Sequence, residues 1–371
     1  MALSVVVAPD SFKGSLAAAP AARAIAAGWL SVRPGDDVHV APQADGGEGT
    51  LDAIEAAAPH AVRRSAGLVT GPDGRPTPGE WLQLDGGIAV VELAQCCGLP
   101  LMRELDATGA TSRGLGGVVR AALDDGATSL VITLGGSAST DGGTGALSAL
   151  GLGLADAVGT TIPDGGRALA QLATIDTRDL VAPPPGGVTL LTDVTAPLLG
   201  PTGAAEVFGP QKGATPATIR ELEAALGHFA NVLDARELVT VPGVGAAGGT
   251  AFGFAALWNA EVRSGAEYLA ALTGLDERIA AADIVLLGEG RFDTQSLGGK
   301  VASHILEVAD VSGTTAGIIA GQVAIGVITS AGEPVWATSL AELAGSVPAA
   351  VQHPERWLHE AGARAAAALG S

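Results

Sequence analysis

Positive charge, cysteine and aromatic residues are all scarce in this chain of 371 residues. Lysine and arginine together number 20 against 39 aspartates and glutamates, which gives a formal net charge of −19 at pH 7. Such a charge argues against partners that are nucleic acids or acidic membranes, because the field of the chain would repel them. Aromatic residues make up only 3% of the chain, and no basic residues interleave its tryptophans, so we expect no base-stacking surface. Any anionic substrate therefore needs a local concentration of positive charge.

The two cysteines, Cys96 and Cys97, are adjacent in sequence. This spacing suits neither an ordinary disulfide nor a metal pair, so we expect two buried thiols in a reducing compartment. The N-terminus lacks the basic and long apolar segments of a signal peptide, and the longest apolar stretch, residues 316–329, is too short to cross a bilayer comfortably. These features predict a cytoplasmic protein.

Lysine occurs only three times, at Lys13, Lys212 and Lys300, and each lysine is next to a glycine. In a chain that uses arginine almost everywhere, the remaining lysines are candidates for positions that need a compact ammonium group. Binding a phosphoryl group in a glycine-lined loop is one such task. The alternative is that three lysines persist by chance.

Short β-branched runs alternate with alanine- and leucine-rich segments along most of the chain. This alternation predicts βαβ units around a parallel sheet. The predicted strands are Ser4–Ala8, Asp37–Ala41, Ser129–Leu134, Val188–Thr192, Ile284–Leu287 and Ala316–Ala320. Thr215 and Pro216 are typical of the N-cap and first position of a helix, and a single helix is predicted over residues 270–282.

One region, residues 62–93, interrupts this rhythm with short alternating runs separated by Gly-, Pro- and Asp-rich turns. The pattern predicts antiparallel hairpins, and the length of the chain suggests two domains. We therefore predict a discontinuous domain formed by residues 1–60 and 269–371, with a second α/β domain formed by the inserted residues 61–268.

Polar, glycine-rich motifs directly follow the predicted strands, where ligands collect in open α/β sheets. The motifs begin at Asp10, Asp45, Gly135, Asp193 and Gly288. Their glycines permit close backbone approach and can present N–H groups to phosphate, while their carboxylates can hold Mg²⁺ or accept a hydroxyl proton. Together they indicate a phosphoryl-transfer site. By contrast, Asp85–Gly87 and Asp164–Gly166 are interpreted as ordinary turns.

Common nucleotide signatures are missing from the sequence, since no GxxxxGK[ST] motif and no protein-kinase motifs occur. Residues 243–248 match GxGxxG and leave a dinucleotide-binding alternative open. Pro242 at the turn and the lack of a strand-end acid about 20 residues later weaken it, so a helix start or close packing is preferred. The six histidines show neither metal-ligand spacing nor a link to a nucleophile, and packing or surface roles are expected.

Several of these motifs, in order along about 300 residues, resemble the bacterial glycerate kinase family, type I. The similar segments are Ala8–Ser15, Ala44–Thr50, Gly135–Ala138, Asp193–Thr195, Pro197–Pro201, Phe208–Ala214, Pro242–Gly249 and Gly288–Asp293. The resemblance implies a two-domain α/β fold with a parallel Rossmann-like sheet domain, a second α/β domain containing antiparallel hairpins, and an active site in the interdomain cleft. It also implies ATP- and Mg²⁺-dependent phosphorylation of D-glycerate to 2-phosphoglycerate. Two departures from the family pattern are Ala196 in place of asparagine and Ser139-Thr140 in place of Thr-Asn.

The resemblance and the motifs together give candidate site residues. The candidate catalytic residues are Lys13, Asp45, Asp193, Lys212, Arg291 and Asp293. The candidate substrate- or nucleotide-binding residues are Asp10, Ser11, Gly46, Gly47, Glu48, Gly135, Gly136, Ser137, Asp141, Gln211 and Lys300. The candidate metal ligands are Asp193 and Glu289. Lys13, Lys212 and Arg291 are expected to neutralise the glycerate carboxylate and the transferring phosphoryl group.

The expected partners are the small molecules D-glycerate and ATP, with a homodimer as the candidate oligomer. A kinase acting on another small hydroxy acid, or one forming 3-phosphoglycerate, is a close alternative. A sensor that binds a sugar acid without turnover and a nicotinamide-dependent oxidoreductase are more distant alternatives. Clustered carboxylates disfavour the sensor, because a protein that only binds anions gains nothing from them.

Overall fold

The computed structural model describes residues 1–12, 14–58, 60–298 and 301–370, so the predicted site residues Lys13 and Lys300 lie outside the described residues. The chain divides into two compact units. The first unit consists of Met1–Asp45, Asp52–Pro59 and Gly265–Ser371, and the second consists of Gly46–Leu51 and His60–Ser264.

Strands and helices alternate along most of the chain. The strands are β1 (Ser4–Pro9), β2 (Asp37–Val40), β3 (Val62–Thr70), β4 (Pro76–Leu84), β5 (Ile88–Glu92), β6 (Ser129–Thr133), β7 (Gly153–Ala155), β8 (Thr174–Asp176), β9 (Val188–Leu191), β10 (Glu261–Arg263), β11 (Ile284–Phe292), β12 (Thr315–Val323) and β13 (Trp336–Ser339). The α-helices are α1 (Ala18–Val32), α2 (Thr50–Ala57), α3 (Leu93–Cys97), α4 (Arg113–Asp124), α5 (Thr144–Ala149), α6 (Ala204–Phe208), α7 (Pro216–Val232), α8 (Ala246–Trp258), α9 (Gly265–Thr273), α10 (Leu275–Ala281), α11 (Val301–Ser312), α12 (Leu340–Ala344), α13 (Val347–Gln352) and α14 (Pro354–Leu369). Short 3₁₀-helices cover Asp85–Gly87, Leu99–Leu101, Gly166–Gln171, Pro210–Lys212 and Arg236–Leu238.

The first unit is built on a parallel sheet with the strand order β13-β12-β11-β1-β2. Successive residues of β1 point to opposite faces, so Val5 and Val7 join a core with α1 and α14, while Val6 and Ala8 join a core with α10 and α11. Because helices cover both faces, β1 is apolar after Ser4 and β11 is apolar over its first four residues, Ile284 to Leu287. The predicted α/β fold with a parallel sheet is confirmed.

Helices α1 and α14 approach each other closely at two glycines. A Cβ atom added to Gly28 would lie 1.9 Å from the backbone oxygen of His359, and one added to Gly362 would lie 2.2 Å from the backbone oxygen of Ile25. No side chain fits at these distances, so the absence of a Cβ atom allows the two backbones to pack against each other. This contact closes one face of the first unit.

The second unit is built on a mixed sheet with the order β10-β9-β6-β5-β4-β3. The strands from β10 to β5 are parallel, whereas β5, β4 and β3 form antiparallel pairs. The predicted hairpins over residues 62–93 are therefore confirmed. Asp85–Gly87 forms the short turn between β4 and β5, as the sequence predicted. Cys96 and Cys97 are buried free thiols, also as expected.

Two local predictions need correction, and one is confirmed. Strand β11 continues to Phe292 because it pairs with β12 as far as Val323, so the motif that begins at Gly288 starts on a strand and not in a loop. The helix predicted over residues 270–282 is two helices, separated at Gly274, whose φ of +62° is left-handed. Helix α7 begins as predicted, with the Thr215 side chain accepting a hydrogen bond from the Thr218 N–H. None of the helices in the described part of the chain combines the length and hydrophobicity that crossing a membrane requires.

Candidate functional site

A pocket of about 420 Å³ lies in the first unit, where the carboxyl ends of β1, β11 and β12 meet. This is the edge of a parallel sheet at which α/β proteins bind ligands. Six of the predicted site residues line it, namely Asp10, Ser11, Asp45, Glu289, Arg291 and Asp293. Hereafter we call it the acidic pocket.

The segment after β1 is held against β11 by backbone contacts. The Asp10 N–H donates to the carbonyl oxygen of Gly288 at 2.8 Å. The Ser11 N–H donates to Oδ1 of Asp10 at 2.5 Å, which fixes that carboxylate beside its own backbone. Asp10 and Ser11 are both half-buried, so their side chains are positioned by the sheet while remaining partly accessible.

Arg291 and Asp293 form an ion pair at the same end of β11, with Nε 3.2 Å from Oδ2. Asp293 also accepts a hydrogen bond from the Gln295 N–H at 2.9 Å, and its own N–H donates to the Ser296 hydroxyl at 3.1 Å. The Arg291 side chain is 64% exposed, so the ion pair is weak and leaves guanidinium N–H groups available to a ligand.

Among the described residues that line this pocket, acidic side chains outnumber basic ones. Among its described lining residues, the carboxylates of Asp10, Asp45, Glu289 and Asp293 face one cationic side chain, Arg291. Carboxylate oxygens are ligands that Mg²⁺ prefers, and Mg²⁺ usually takes one or two of them together with substrate phosphates. Within the described residues no group of three or more His, Cys, Asp or Glu side chains forms a metal site of its own. The carboxylates of the described lining are ligands of a kind that Mg²⁺ accepts.

In the second unit, Glu92 at the end of β5 holds the glycine-rich segment Gly46–Leu51. Its Oε1 accepts from the Gly49 N–H and its Oε2 accepts from the Leu51 N–H, both at 3.0 Å. The Thr50 hydroxyl closes the segment by donating to the Gly47 carbonyl at 2.7 Å. Sequence reasoning missed Glu92, although an acid that ends the apolar run of β5 was a visible signal.

Gly135 approaches this segment at the backbone. Its N–H donates to the Gly46 carbonyl at 3.0 Å, and a Cβ atom at Gly135 would lie 2.4 Å from the Cα atom of Gly47. The N–H of Gly135 therefore has its hydrogen-bond partner inside the second unit.

The other predicted glycines of these two segments differ in exposure. Gly136 is exposed and has a left-handed φ of +72°, whereas Gly46 and Gly47 are buried. Glu48, which follows them, is exposed.

Lys212 is buried in the second unit, with 2% of the residue exposed. Its ammonium donates to the Ser137 hydroxyl at 2.9 Å and to the backbone oxygen of Ser139. Burial lowers the pKa of Lys212 to about 7, and the nearby charge of Asp141 opposes that shift. The lysine thus ties the loop after β6 to the 3₁₀-helix Pro210–Lys212, while its neighbour Gln211 is exposed.

Asp141 lies in the same loop, and its buried carboxylate accepts several hydrogen bonds. Its Oδ2 accepts hydrogen bonds from the backbone N–H and the hydroxyl of Ser112, both at 2.8 Å. The N–H groups of Gly143 and Gly145 donate to the same carboxylate at 3.1 and 3.3 Å. Burial raises the pKa of Asp141, and these hydrogen bonds act in the opposite direction. The carboxylate is directed at the protein's own backbone.

Asp193 follows β9 in the second unit and is half-buried. Its Oδ1 accepts a hydrogen bond from the Ser264 hydroxyl at 2.9 Å. Asp193 belongs to the second unit and Glu289 to the first, and joint metal binding by these two residues stays a prediction.

The GxGxxG segment, residues 243–248, leads into α8. A Cβ atom at Gly245 would lie 2.1 Å from the backbone oxygen of Pro197, and one at Gly248 would lie 2.2 Å from that of Ser139. These contacts support a close-packing role for the glycines and not a dinucleotide-binding role.

Comparison with known proteins gives one consistent result. Residues 5–370 match the model of the glycerate kinase family. The chain is 41% identical over 320 residues to the glycerate 2-kinase of Escherichia coli K12, covering 83% of this chain and 82% of that protein. It is 39% identical over 314 residues to the glycerate kinase of Bacillus subtilis 168, with coverage of 83% and 82%.

The fold comparison agrees with the sequence comparison. The crystal structure of a protein assigned as glycerate kinase 2 from Salmonella typhimurium LT2 matches with a TM-score of 0.80 at 33% identity. The match covers 100% of this chain and 99% of that one. The chain therefore belongs to the glycerate kinase family and is an enzyme of that kind, a kinase and hence a transferase.

Proposed function

We propose that this enzyme transfers the γ-phosphoryl group of ATP to D-glycerate and forms 2-phosphoglycerate, with Mg²⁺ as the accompanying cation. The observation that carries the proposal is the acidic pocket at the carboxyl ends of β1, β11 and β12 in a chain of this family. The 2-position is supported by the name of the Escherichia coli relative, glycerate 2-kinase.

In this reaction the 2-hydroxyl oxygen of glycerate forms a bond to the γ-phosphorus while the bond to the β–γ bridging oxygen breaks. ADP leaves with the bridging oxygen, and the hydroxyl proton passes to a carboxylate or to solvent. The transition state is loose, so the protein's main tasks are positioning and neutralising charge. Arg291 is suited to the second task because its guanidinium is exposed in the pocket.

The inference of magnesium rests on the kind of ligand atoms that the pocket supplies. Asp10, Asp45, Glu289 and Asp293 supply carboxylate oxygens in the described lining, and Mg²⁺ would link one or two of these oxygens to the phosphates of ATP. Glu289 and Asp293 are the residues we assign to holding that cation and accepting the hydroxyl proton. Bound Mg²⁺ would withdraw charge from the phosphate oxygens.

The residues of the second unit are assigned a supporting role. Lys212 donates to Ser137 in the loop after β6, and Asp141 in the same loop accepts a hydrogen bond from the Ser112 N–H. Glu92 binds the segment Gly46–Leu51 in a similar way. We assign Asp193, with its half-buried carboxylate, to contact with the metal or the substrate. We also propose that the two compact units are the functional domains of the enzyme.

A steady-state assay tests the requirements of this reaction. ADP release should need ATP, Mg²⁺ and D-glycerate together, and omission of any one of them, or addition of excess EDTA, should abolish it. ADP release that is independent of glycerate, or undiminished by EDTA, contradicts the proposal. Reduction of NAD⁺ or NADP⁺ by glycerate would favour the oxidoreductase alternative.

A further inference from the structure

The acidic pocket has an apolar side that the reaction with glycerate does not use. It is formed by the C-terminal segment, to which sequence analysis assigned no role, and we call it the apolar wall. Its residues are Leu340, Val347, Ala350, Val351 and Pro354. Val347 and Val351 lie one helical turn apart on α13 and are 42% and 49% exposed, while Ala350 between them is buried. The wall thus presents apolar surface inside a ligand pocket.

Apolar residues also come from the opposite face of the sheet. Val301 and Ala302, at the start of α11, line the same pocket. Helix α11 packs in the core on one face of the sheet, whereas Leu340 and Ala350 pack in the core on the other face. The pocket is therefore lined by apolar side chains from two layers, which suits an aromatic ring system placed between them.

Polarity changes along the strand order of the sheet. The carboxylates follow β1 and lie at the end of β11, whereas the apolar wall belongs to helices that pack against β12 and follow it in sequence. Gln322 on β12 lies in register with Arg291 on β11, and its exposed amide lines the pocket. A primary amide offers an NH₂ donor group beside a carbonyl acceptor, and this pairing complements the polar edge of adenine.

The size of the pocket distinguishes the two substrates. A volume of about 420 Å³ is in the range that holds a drug-sized ligand, far more than a three-carbon acid fills. Glycerate carries a carboxylate and two hydroxyls, so an apolar wall offers it nothing. A nucleotide has both an aromatic base and a charged phosphate chain, and it matches both sides of the pocket.

We propose that the apolar wall is the nucleoside subsite, with the adenine base against Val347, Ala350 and Val351 and its polar edge at Gln322. The phosphate chain then extends toward Gly288 and Arg291 at the end of β11. This assignment rests on the proposed function for the identity of the nucleotide. It gives the C-terminal segment a role in choosing the phosphoryl donor.

The test is ADP binding to the full chain in the presence of Mg²⁺, measured by isothermal titration calorimetry on Val351→Glu. A carboxylate at this position would be desolvated by the base, so the Kd for ADP should rise at least tenfold. The KM for ATP should rise similarly, while the KM for D-glycerate stays within about twofold. Val311→Glu is the matched control, because Val311 is 90% exposed in the same unit and does not line the pocket.

A second variant tests the polar edge. Gln322→Glu leaves only acceptors there, so the ratio of kcat/KM for ATP to that for GTP should fall at least fivefold, since guanine presents N–H donors on the corresponding edge. If Val351→Glu phosphorylates glycerate and binds ADP as tightly as the wild type, the assignment of the nucleoside subsite is wrong and the proposed reaction is unaffected. If Val351→Glu weakens ADP binding but the wild-type chain does not phosphorylate glycerate, the nucleoside subsite is supported and the proposed reaction is wrong.

Discussion

Replacing Lys212 by methionine should change how the stability of the protein depends on pH. In the folded chain the ammonium is buried against Ser137 and Ser139, and burial lowers its pKa from an ordinary 10.5 to about 7. Methionine has a similar length and no charge, so it keeps much of the packing and removes the titration. The difference in unfolding free energy between the two proteins therefore reports the energetic cost of burying this amine in the second unit.

The sign and the magnitude follow from linkage. Between pH 7 and 10.5 the unfolded chain holds a proton on Lys212 more often than the folded chain does, so stability rises with pH. The cost of burying the amine is on the order of 4 kcal/mol at pH 7 and falls to about 2 kcal/mol at pH 9, because each tenfold ratio is about 1.4 kcal/mol. The wild-type protein should therefore gain about 2 kcal/mol relative to Lys212→Met over this range.

The assay is urea unfolding followed by circular dichroism at pH 7, 8 and 9, with the difference between the two proteins taken at each pH. The hydrogen bond with Cys97 and burial raise the pKa of the Cys96 thiol, which lowers stability above the ordinary thiol pKa, but this effect is common to both proteins and cancels. Arg220→Met is the matched control, because Arg220 also lies in the second unit but is exposed on α7. A difference between wild type and Lys212→Met that stays constant from pH 7 to pH 9 would refute the reasoning.

Three further substitutions test other parts of the structure. Arg291→Met should lower kcat about a hundredfold if the guanidinium contacts the transferring group. The control is Arg364→Met, which replaces an exposed arginine on α14 and should leave kcat unchanged. Equal kcat values for the two variants would show that Arg291 does not act in catalysis. Gly28→Ala should reduce the free energy of unfolding by about 2–3 kcal/mol in urea titrations, because the new Cβ atom would lie 1.9 Å from a backbone oxygen. Gly35→Ala is the control and should be nearly neutral, because its Cβ atom would point into open space. Thr215→Ala should lose about 1 kcal/mol by the same measurement through loss of the N-cap, and an unchanged midpoint would argue against that cap.

Features of this fold that have local causes could be predicted from the sequence. The turn residues between β3, β4 and β5 specify hairpins whatever surrounds them, and Thr215 followed by Pro216 starts α7 through its own side chain and ring. The edge of the sheet at which polar residues gather was also accessible, because parallel strands all end on the same side. Asp10, Glu289 and Arg291 accordingly line one pocket.

Features that depend on distant partners could not be predicted in this way. Strand β11 extends past its apolar run because β12 supplies hydrogen bonds as far as Val323. Lys212 was singled out by its rarity, but its partners lie more than 70 residues earlier in the chain, so its burial was invisible. The apolar wall around Val347 and Val351 has no motif at all, since any exposed valine on a short helix has the same appearance in sequence.

The product of the proposed reaction can be identified by ³¹P NMR of the reaction mixture. The full chain is incubated with ATP, Mg²⁺ and D-glycerate, and the product resonance is compared with authentic 2- and 3-phosphoglycerate. We expect ADP and 2-phosphoglycerate in equal amounts. A signal from 3-phosphoglycerate, or ATP left unconsumed beside D-glycerate, would contradict this expectation.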